Sequence, residues 1–363
     1  MHGELNPDCL GDALSWIGDT DLAERLDAAF TAESEAALRV RISPSVAERL
    51  DCLSGACRNR LVRAPEITRQ TLFAPTLTPS QIDAFVDSAV QVESALIGVG
   101  LQPTAARWSA LGDVMLADDG TFLWWPQITG ANPISLDFGS PWAQRIDLSG
   151  RLEFCTVSRP ALTDVEVHFI HGRLVGAMGE LQQLSPVLPK FVSLCTRVLV
   201  LQIDPLNAYV ASGSNGRFVG RSFIANPQRA EATTDCLAEA VVHEAIHGLM
   251  YCESLHRPWA CGDAAVEVAR VESPWTGRAL PIRPFLEAAC VWFGLVHLWA
   301  LALRSERFER KAAHMRLMRS VRGFCRGSLV DRARPWWHEI RPDVLTAVDC
   351  LQARVVEALG DAT

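Results

Sequence analysis

The chain has 363 residues, 49% of them hydrophobic and 21% charged, with a formal net charge of −8 and a pI near 5.6. That composition supports a sizeable core and excludes a disordered chain, and the acidic balance excludes a general electrostatic pull toward nucleic acid. Eleven cysteines with no CxxC pair exclude the disulfide framework of a small secreted domain and point to reduced thiols.

The opening MHGELNPDCLGDALSWIGD has no basic segment leading into an apolar run, so no signal peptide is expected and a cytoplasmic location is. Residues 22–40 carry apolar side chains at helical spacing. At TPSQ (78–81), Thr78 can cap a helix, Pro79 suits its first position and Gln81 can complete a capping box, with Gly98 and Gly100 punctuating the far end. The stretch 121–142 mixes Gly, Pro, Asn and aromatics, which suits loops and short extended pieces. Alternating or β-branched runs predict strands over 151–158 and 164–170, a helix over 174–188 and a buried strand over 197–203. A turn-rich loop then leads into an edge strand within FVGRSFIAN (218–226).

A helix is expected from Thr234 or Asp235, and nearly everything beyond 285 reads as helical. PFLEAACVWFGLVHLWALALRSERFERKAAHMRLM (284–318) is the longest pattern, and a last helix spans 343–359, closed by Gly360. The apolar run 288–303 is short for a membrane span and contains His297, so a buried helix is expected and no membrane partner. Helices, then strands, then helices indicate an α+β fold that is mainly helical, either divided into a helical N-terminal region (1–115) and a catalytic region (116–363) or forming one continuous domain.

Within AVVHEAIHGLMY (240–251), His243 and His247 stand four apart. On a helix that spacing is about 40° in direction and about 6 Å in height, so two imidazoles share a face and can chelate one divalent metal. Glu244 points roughly 100° away and can reach a metal-bound water. A third ligand is sought downstream, and Glu287 is an acid in an otherwise apolar helical pattern; the plain alternative is a glutamate favoured by the helix dipole. Glu253, Glu267, Glu272, His256, Cys252 and Cys261 are weaker rivals. The same set would serve a Zn(II) peptidase with Glu244 as general base. Such an enzyme also needs an oxyanion donor, and the chain has only two tyrosines, Tyr209 and Tyr251.

HEAIHGLMY (243–251) followed by SPWTGRALPIRPFLEAACVWFGLVHLW (273–299) resembles the HExxH proteins found with ribosomally made, modified peptides, described as iron(II)- and 2-oxoglutarate-dependent peptide β-hydroxylases. The resemblance covers about 220–300. HExxH alone is weakly specific, and its combination with SPWTGR and the VWFGL helix is much more so. It implies a zincin-like metal helix beside a small mixed sheet, with His243, His247 and Glu287 as a two-histidine, one-carboxylate iron site. Relatives often place histidine at the third position, so Glu287 is a departure. Arg278 or Arg283 would grip the distal carboxylate of 2-oxoglutarate, with Arg278 favoured because it belongs to the motif. Trp275 would wall the pocket and His297 line it, although each is as readily a core residue. Glu244 would organise the second shell. The implied substrate is a precursor peptide, laid along 218–226 as an added strand. The Arg-rich stretch 303–324 is a candidate surface for an acidic leader, or simply a solvated helix face. The alternative remains a zinc metallopeptidase with a downstream glutamate ligand.

Overall fold

The structure, a computed structural model, describes residues 4–73, 76–98, 105–130, 132–142, 161–205, 208–260 and 268–360. Its fold is α+β and mainly helical. Six helices open the chain: α1 (Pro7–Ala13), α2 (Asp21–Arg41), α3 (Pro44–Asp51), α4 (Gly55–Val62), α5 (Pro65–Thr71) and α6 (Pro79–Leu96). The start of α6 is the capping box read from TPSQ: Thr78 N–H donates to Gln81 Oε1 at 2.9 Å and Gln81 N–H returns to Thr78 Oγ1 at 3.4 Å.

Strands β1 (Arg107–Trp108), β2 (Val114–Leu116) and β3 (Phe122–Trp124) form a small antiparallel sheet. The main sheet contains β4 (Gln127–Ile128), β5 (Ile134–Asp137), β6 (Val198–Gln202), β7 (Ala211–Ser214) and β8 (Arg221–Ala225), in the order β4-β5-β6-β8-β7. Strands β5, β6 and β8 run parallel, and every residue in them is buried, as a parallel sheet covered on both faces requires.

Three expectations for this region are corrected. The segment 218–226 is not an edge: β8 lies between β6 and β7, and β7 takes the edge. ASGSNG reads as loop because it is rich in Gly and Ser, yet Gly213 pairs with Phe223, and a β-carbon at 213 would lie 2.6 Å from that ring. The glycine makes room for an aromatic neighbour across the strands. Residues 164–170 are not a strand but the start of α7 (Asp164–Leu184). A second capping box begins it: Thr163 N–H donates to Glu166 Oε2 at 2.8 Å, and Glu166 N–H donates to Thr163 Oγ1 at 3.3 Å. Val167, Ile170, Leu174 and Ala177 face inward at helical spacing, while Val165 and Phe169, which created the apparent alternation, are exposed. The strand expected over 151–158 lies outside the described residues.

Helix α8 (Val187–Cys195) precedes β6, and α9 (Thr234–His256) carries the HExxH sequence. A short hairpin of β9 (Val271–Glu272) and β10 (Ala279–Leu280) leads into α10 (Ile282–Ser305), α11 (Arg310–Val321), α12 (Leu329–Arg332) and α13 (Pro342–Gly360). The long 284–318 pattern is therefore two helices. Glu306 ends α10 in the left-handed region at φ 55°, a C-terminal stop without the usual glycine. By length and composition α10 could cross a membrane, but 67% of its most apolar window is buried in the structure, as a core helix requires. Much of the charge around α11 is engaged internally: Arg316 lies over Trp299, Arg319 over Trp292, and Arg307 bonds Glu180 at 2.9 Å.

The chain divides into two compact units, one of Met1–Arg25, Met178–Phe191 and Val241–Thr363, the other of Leu26–Ala177 and Val192–Ala240. The boundary expected at 115 falls inside the second. One core shared by Leu50, Ile82, Val86, Leu111, Val198 and Phe223 joins helices α3 and α6 to the sheet. No disulfide joins the described cysteines.

Candidate metal centre

His243, Glu244, His247, Trp275, Arg278, Arg283, Glu287 and His297 all lie in the first unit, between Val241 and Thr363. Helix α9 is apolar around the motif, with Val241, Val242, Ala245, Ile246 and Leu249 buried. It meets α10 closely at one point. A β-carbon on Gly294 would lie 2.6 Å from Ile246 Cδ1 and 2.9 Å from Trp16 Cζ2, so only glycine permits that approach. Trp16 fastens the contact by donating Nε1–H to the Gly294 carbonyl at 2.7 Å. Two turns before Gly294, the same face of α10 presents Glu287 to the metal-motif face of α9.

The imidazoles of His243 and His247 have ring centroids 5.1 Å apart, as helical spacing requires. His247 Nδ1 lies 3.2 Å from Glu287 Oε2, and Arg283, one turn earlier on α10, donates Nε–H to Glu287 Oε1 at 2.7 Å. The His247 ring stacks on Tyr251 at 5.8 Å and 23°, and the Arg283 guanidinium lies 5.3 Å over the same tyrosine ring. Glu244 is buried, with Oε1 4.0 Å from His243 Nε2. Glu287 is also buried, while Arg283 is 39% exposed and its terminal nitrogens bond no described residue.

Burial works against an imidazolium at His247. The hydrogen bond and charge of Glu287, with the charge of Glu244 behind it, nevertheless hold its pKa above the ordinary value. Burial would raise Glu287, but His247 and Arg283 together hold it low. Each shift therefore favours the charged form of its group. Glu287's contribution to stability is complete above its ordinary value of 4.5 and is lost as pH falls through its lowered one. The contribution of His247 is complete below 6.5 and is lost as pH rises through its raised value. A cation at His247 must displace the same proton. Metal affinity is therefore expected to fall as pH is lowered through the raised pKa of His247 and to level off above it, which cobalt(II) titrations between about pH 5 and 9 would check.

The remaining candidates are dispersed. Trp275 is buried, donates Nε1–H to the Ser320 carbonyl at 2.7 Å and stacks on Trp292 at 5.8 Å. A side chain at Gly323 would collide with it. SPWTGR thus braces the β9–β10 turn against α10 and α11, and Arg278 stands exposed on that turn. His297 is ten residues beyond Glu287, about 15 Å along the helix axis. Its ring packs 4.5 Å from Phe293, and burial, with Arg304 and Arg354 nearby, lowers its pKa to about 4. Glu253 is engaged by Trp259 and Arg341. Glu272 is exposed, Tyr209 is exposed and belongs to the other unit, and Cys261 and Glu267 lie outside the described residues. Tyr251 enters the site as a ring neighbour of His247, where the sequence suggests it only as an oxyanion donor; its position four residues after His247 is the signal for that contact.

Two imidazoles on one helical face beside a buried carboxylate have the donor chemistry of a divalent metal site. Their arrangement does not gather three donors around one point, and among the described residues no group of three His, Cys, Asp or Glu side chains is placed to hold a metal ion. No family model matches the chain, and no curated protein matches it.

Proposed function

We propose that the chain is an iron(II)- and 2-oxoglutarate-dependent enzyme that hydroxylates a side-chain β-carbon of a ribosomally made peptide. The observation that carries this reading is the conjunction of His243 and His247 on one face of α9 with the buried Glu287 carboxylate beside His247. His243 and His247 would hold the metal, and Glu287 would supply the carboxylate next to them. Iron(II), when bound, supplies dioxygen activation: one oxygen atom enters the new hydroxyl group and the other enters succinate as carbon dioxide leaves. Arg283 supports the co-substrate assignment better than Arg278, because its Nε–H meets Glu287 beside His247 and its terminal nitrogens, which bond no described residue, can pair with a carboxylate. Glu244, buried next to His243, would orient a ligand or water. The buried position of β8 removes the support for peptide docking along 218–226.

The test is anaerobic loading with iron(II) followed by titration with 2-oxoglutarate. A visible metal-to-ligand absorption band is expected, and turnover is expected to need iron, oxygen and 2-oxoglutarate together. The 4.0 Å approach of Glu244 to His243 also suits a general base on metal-bound water, as in a zinc peptidase. Peptide cleavage with zinc, without oxygen or 2-oxoglutarate, would decide for that chemistry.

A further inference from the structure

We infer that Glu287 is a positioning residue that orients His247 and is not itself a metal ligand. The inference rests on the metal reading above and assigns Glu287 differently from the expected third ligand. Four contacts close a circuit. Glu287 Oε2 faces His247 Nδ1 at 3.2 Å, and the His247 ring stacks on Tyr251 at 5.8 Å. Tyr251 lies 5.3 Å beneath the Arg283 guanidinium, and Arg283 Nε–H returns to Glu287 Oε1 at 2.7 Å. Both carboxylate oxygens are therefore engaged, one by a permanent cation and one by the histidine.

The identity of the histidine nitrogen decides the role. The two lone-pair directions of an imidazole diverge, so a carboxylate at Nδ1 does not also face a metal held at Nε2. An acceptor at Nδ1 fixes the proton there, leaves Nε2 bare and raises its basicity, which is how an outer carboxylate tunes a metal-bound histidine. Tyr251 keeps the ring plane from swinging, and Arg283 keeps Glu287 from leaving the histidine. His243 and His247 would then be the side chains that hold the metal, with Glu287 acting through His247.

The test uses the full chain and two readouts. In metal-free wild type labelled with ¹⁵N histidine, at a pH where His247 is neutral, the ring proton is expected on Nδ1. Cobalt(II) titration is then compared for wild type, Glu287→Gln, Glu287→Ala and His243→Ala, with circular dichroism to show that each is folded. Glu287→Gln keeps the shape and an acceptor oxygen, so it remains informative if the alanine variant fails to fold. Wild type is expected to bind one equivalent. Glu287→Gln is expected to bind one equivalent as well, with affinity lowered by about ten- to a hundredfold and the ligand-field spectrum retained. A proton on Nε2 overturns the inference, as does a Glu287→Gln variant that loses cobalt as completely as His243→Ala. If wild type takes up no cobalt, the metal reading fails and the inference falls with it; if only Glu287→Gln fails, the metal reading stands.

Discussion

His243→Ala is expected to lower metal affinity by more than about a thousandfold, a loss above about 4 kcal/mol, with little effect on the stability of the metal-free protein. The direction follows from chelation: two imidazoles one helical turn apart bind as a pair, and one alone has no second donor on that face. His247→Ala is expected to be equally damaging to metal binding but less clean. It also leaves the buried Glu287 with Arg283 as its remaining named partner, so part of any loss would be structural. His243 is about a third exposed, so its truncation tests binding without disturbing the core. Metal content after dialysis against iron(II) or cobalt(II) gives the result directly. Full affinity in His243→Ala would remove the motif from metal chemistry. Glu244→Gln supplies the contrast: metal retained, turnover lost.

The parts of this molecule governed by short-range rules could be read from sequence. The Thr78 capping box, the helical spacing of 22–40, the buried run before Gln202 and the face shared by His243 and His247 all depend on neighbours within about two turns. The Glu287–His247 approach was accessible only as a chemical oddity, an acid inside an apolar helix. What makes it possible is Gly294, seven residues on, whose role depends on Ile246 and Trp16, distant in sequence. The strand β7 was hidden because Gly213 is chosen for its partner Phe223, and no local propensity reveals a partner across a sheet. The start of α7 was hidden differently. DVEVHFI alternates like a strand, and the Thr163–Glu166 capping box outweighs that alternation.

The most recognisable downstream motif turns out to brace the structure, and the less conspicuous arginine sits at the site. In SPWTGR the tryptophan closes the contact of the β9–β10 turn with α11. Arg283 lies one turn before Glu287, so helical spacing alone ties it to the carboxylate. A motif that packs and a motif that carries candidate ligands are equally visible in sequence. Burial, a hydrogen bond to the Ser320 carbonyl and a collision awaiting any side chain at Gly323 are what assign Trp275 to packing.

Glu66→Ala is expected to destabilise the second unit by about 3–5 kcal/mol, the usual cost of removing one partner from a buried ion pair. Glu66 on α5 and Arg221 on β8 are both almost fully buried, and Arg221 Nη1–H donates to Glu66 Oε1. The charge of the buried Asp137 also acts on Arg221. Among the described residues Arg221 Nε and Nη2 make no hydrogen bond, its contact with the Trp142 carbonyl is long at 3.4 Å, and its guanidinium rests 5.4 Å from the Phe218 ring. Truncating Glu66 therefore removes the carboxylate hydrogen-bonded to a buried guanidinium, a loss that the charge of Asp137 offsets in part. Glu66→Gln is expected to cost less, since an acceptor oxygen remains. The double variant Glu66→Ala/Arg221→Met is expected to recover much of the loss, because it removes the charge together with its partner. A chain with two compact units need not unfold in one step, so the measurement is hydrogen exchange at β6 and β8 in urea, read separately from α9 and α10. A Glu66→Ala variant with unchanged protection at β6 and β8 would show that Arg221 is stabilised from elsewhere.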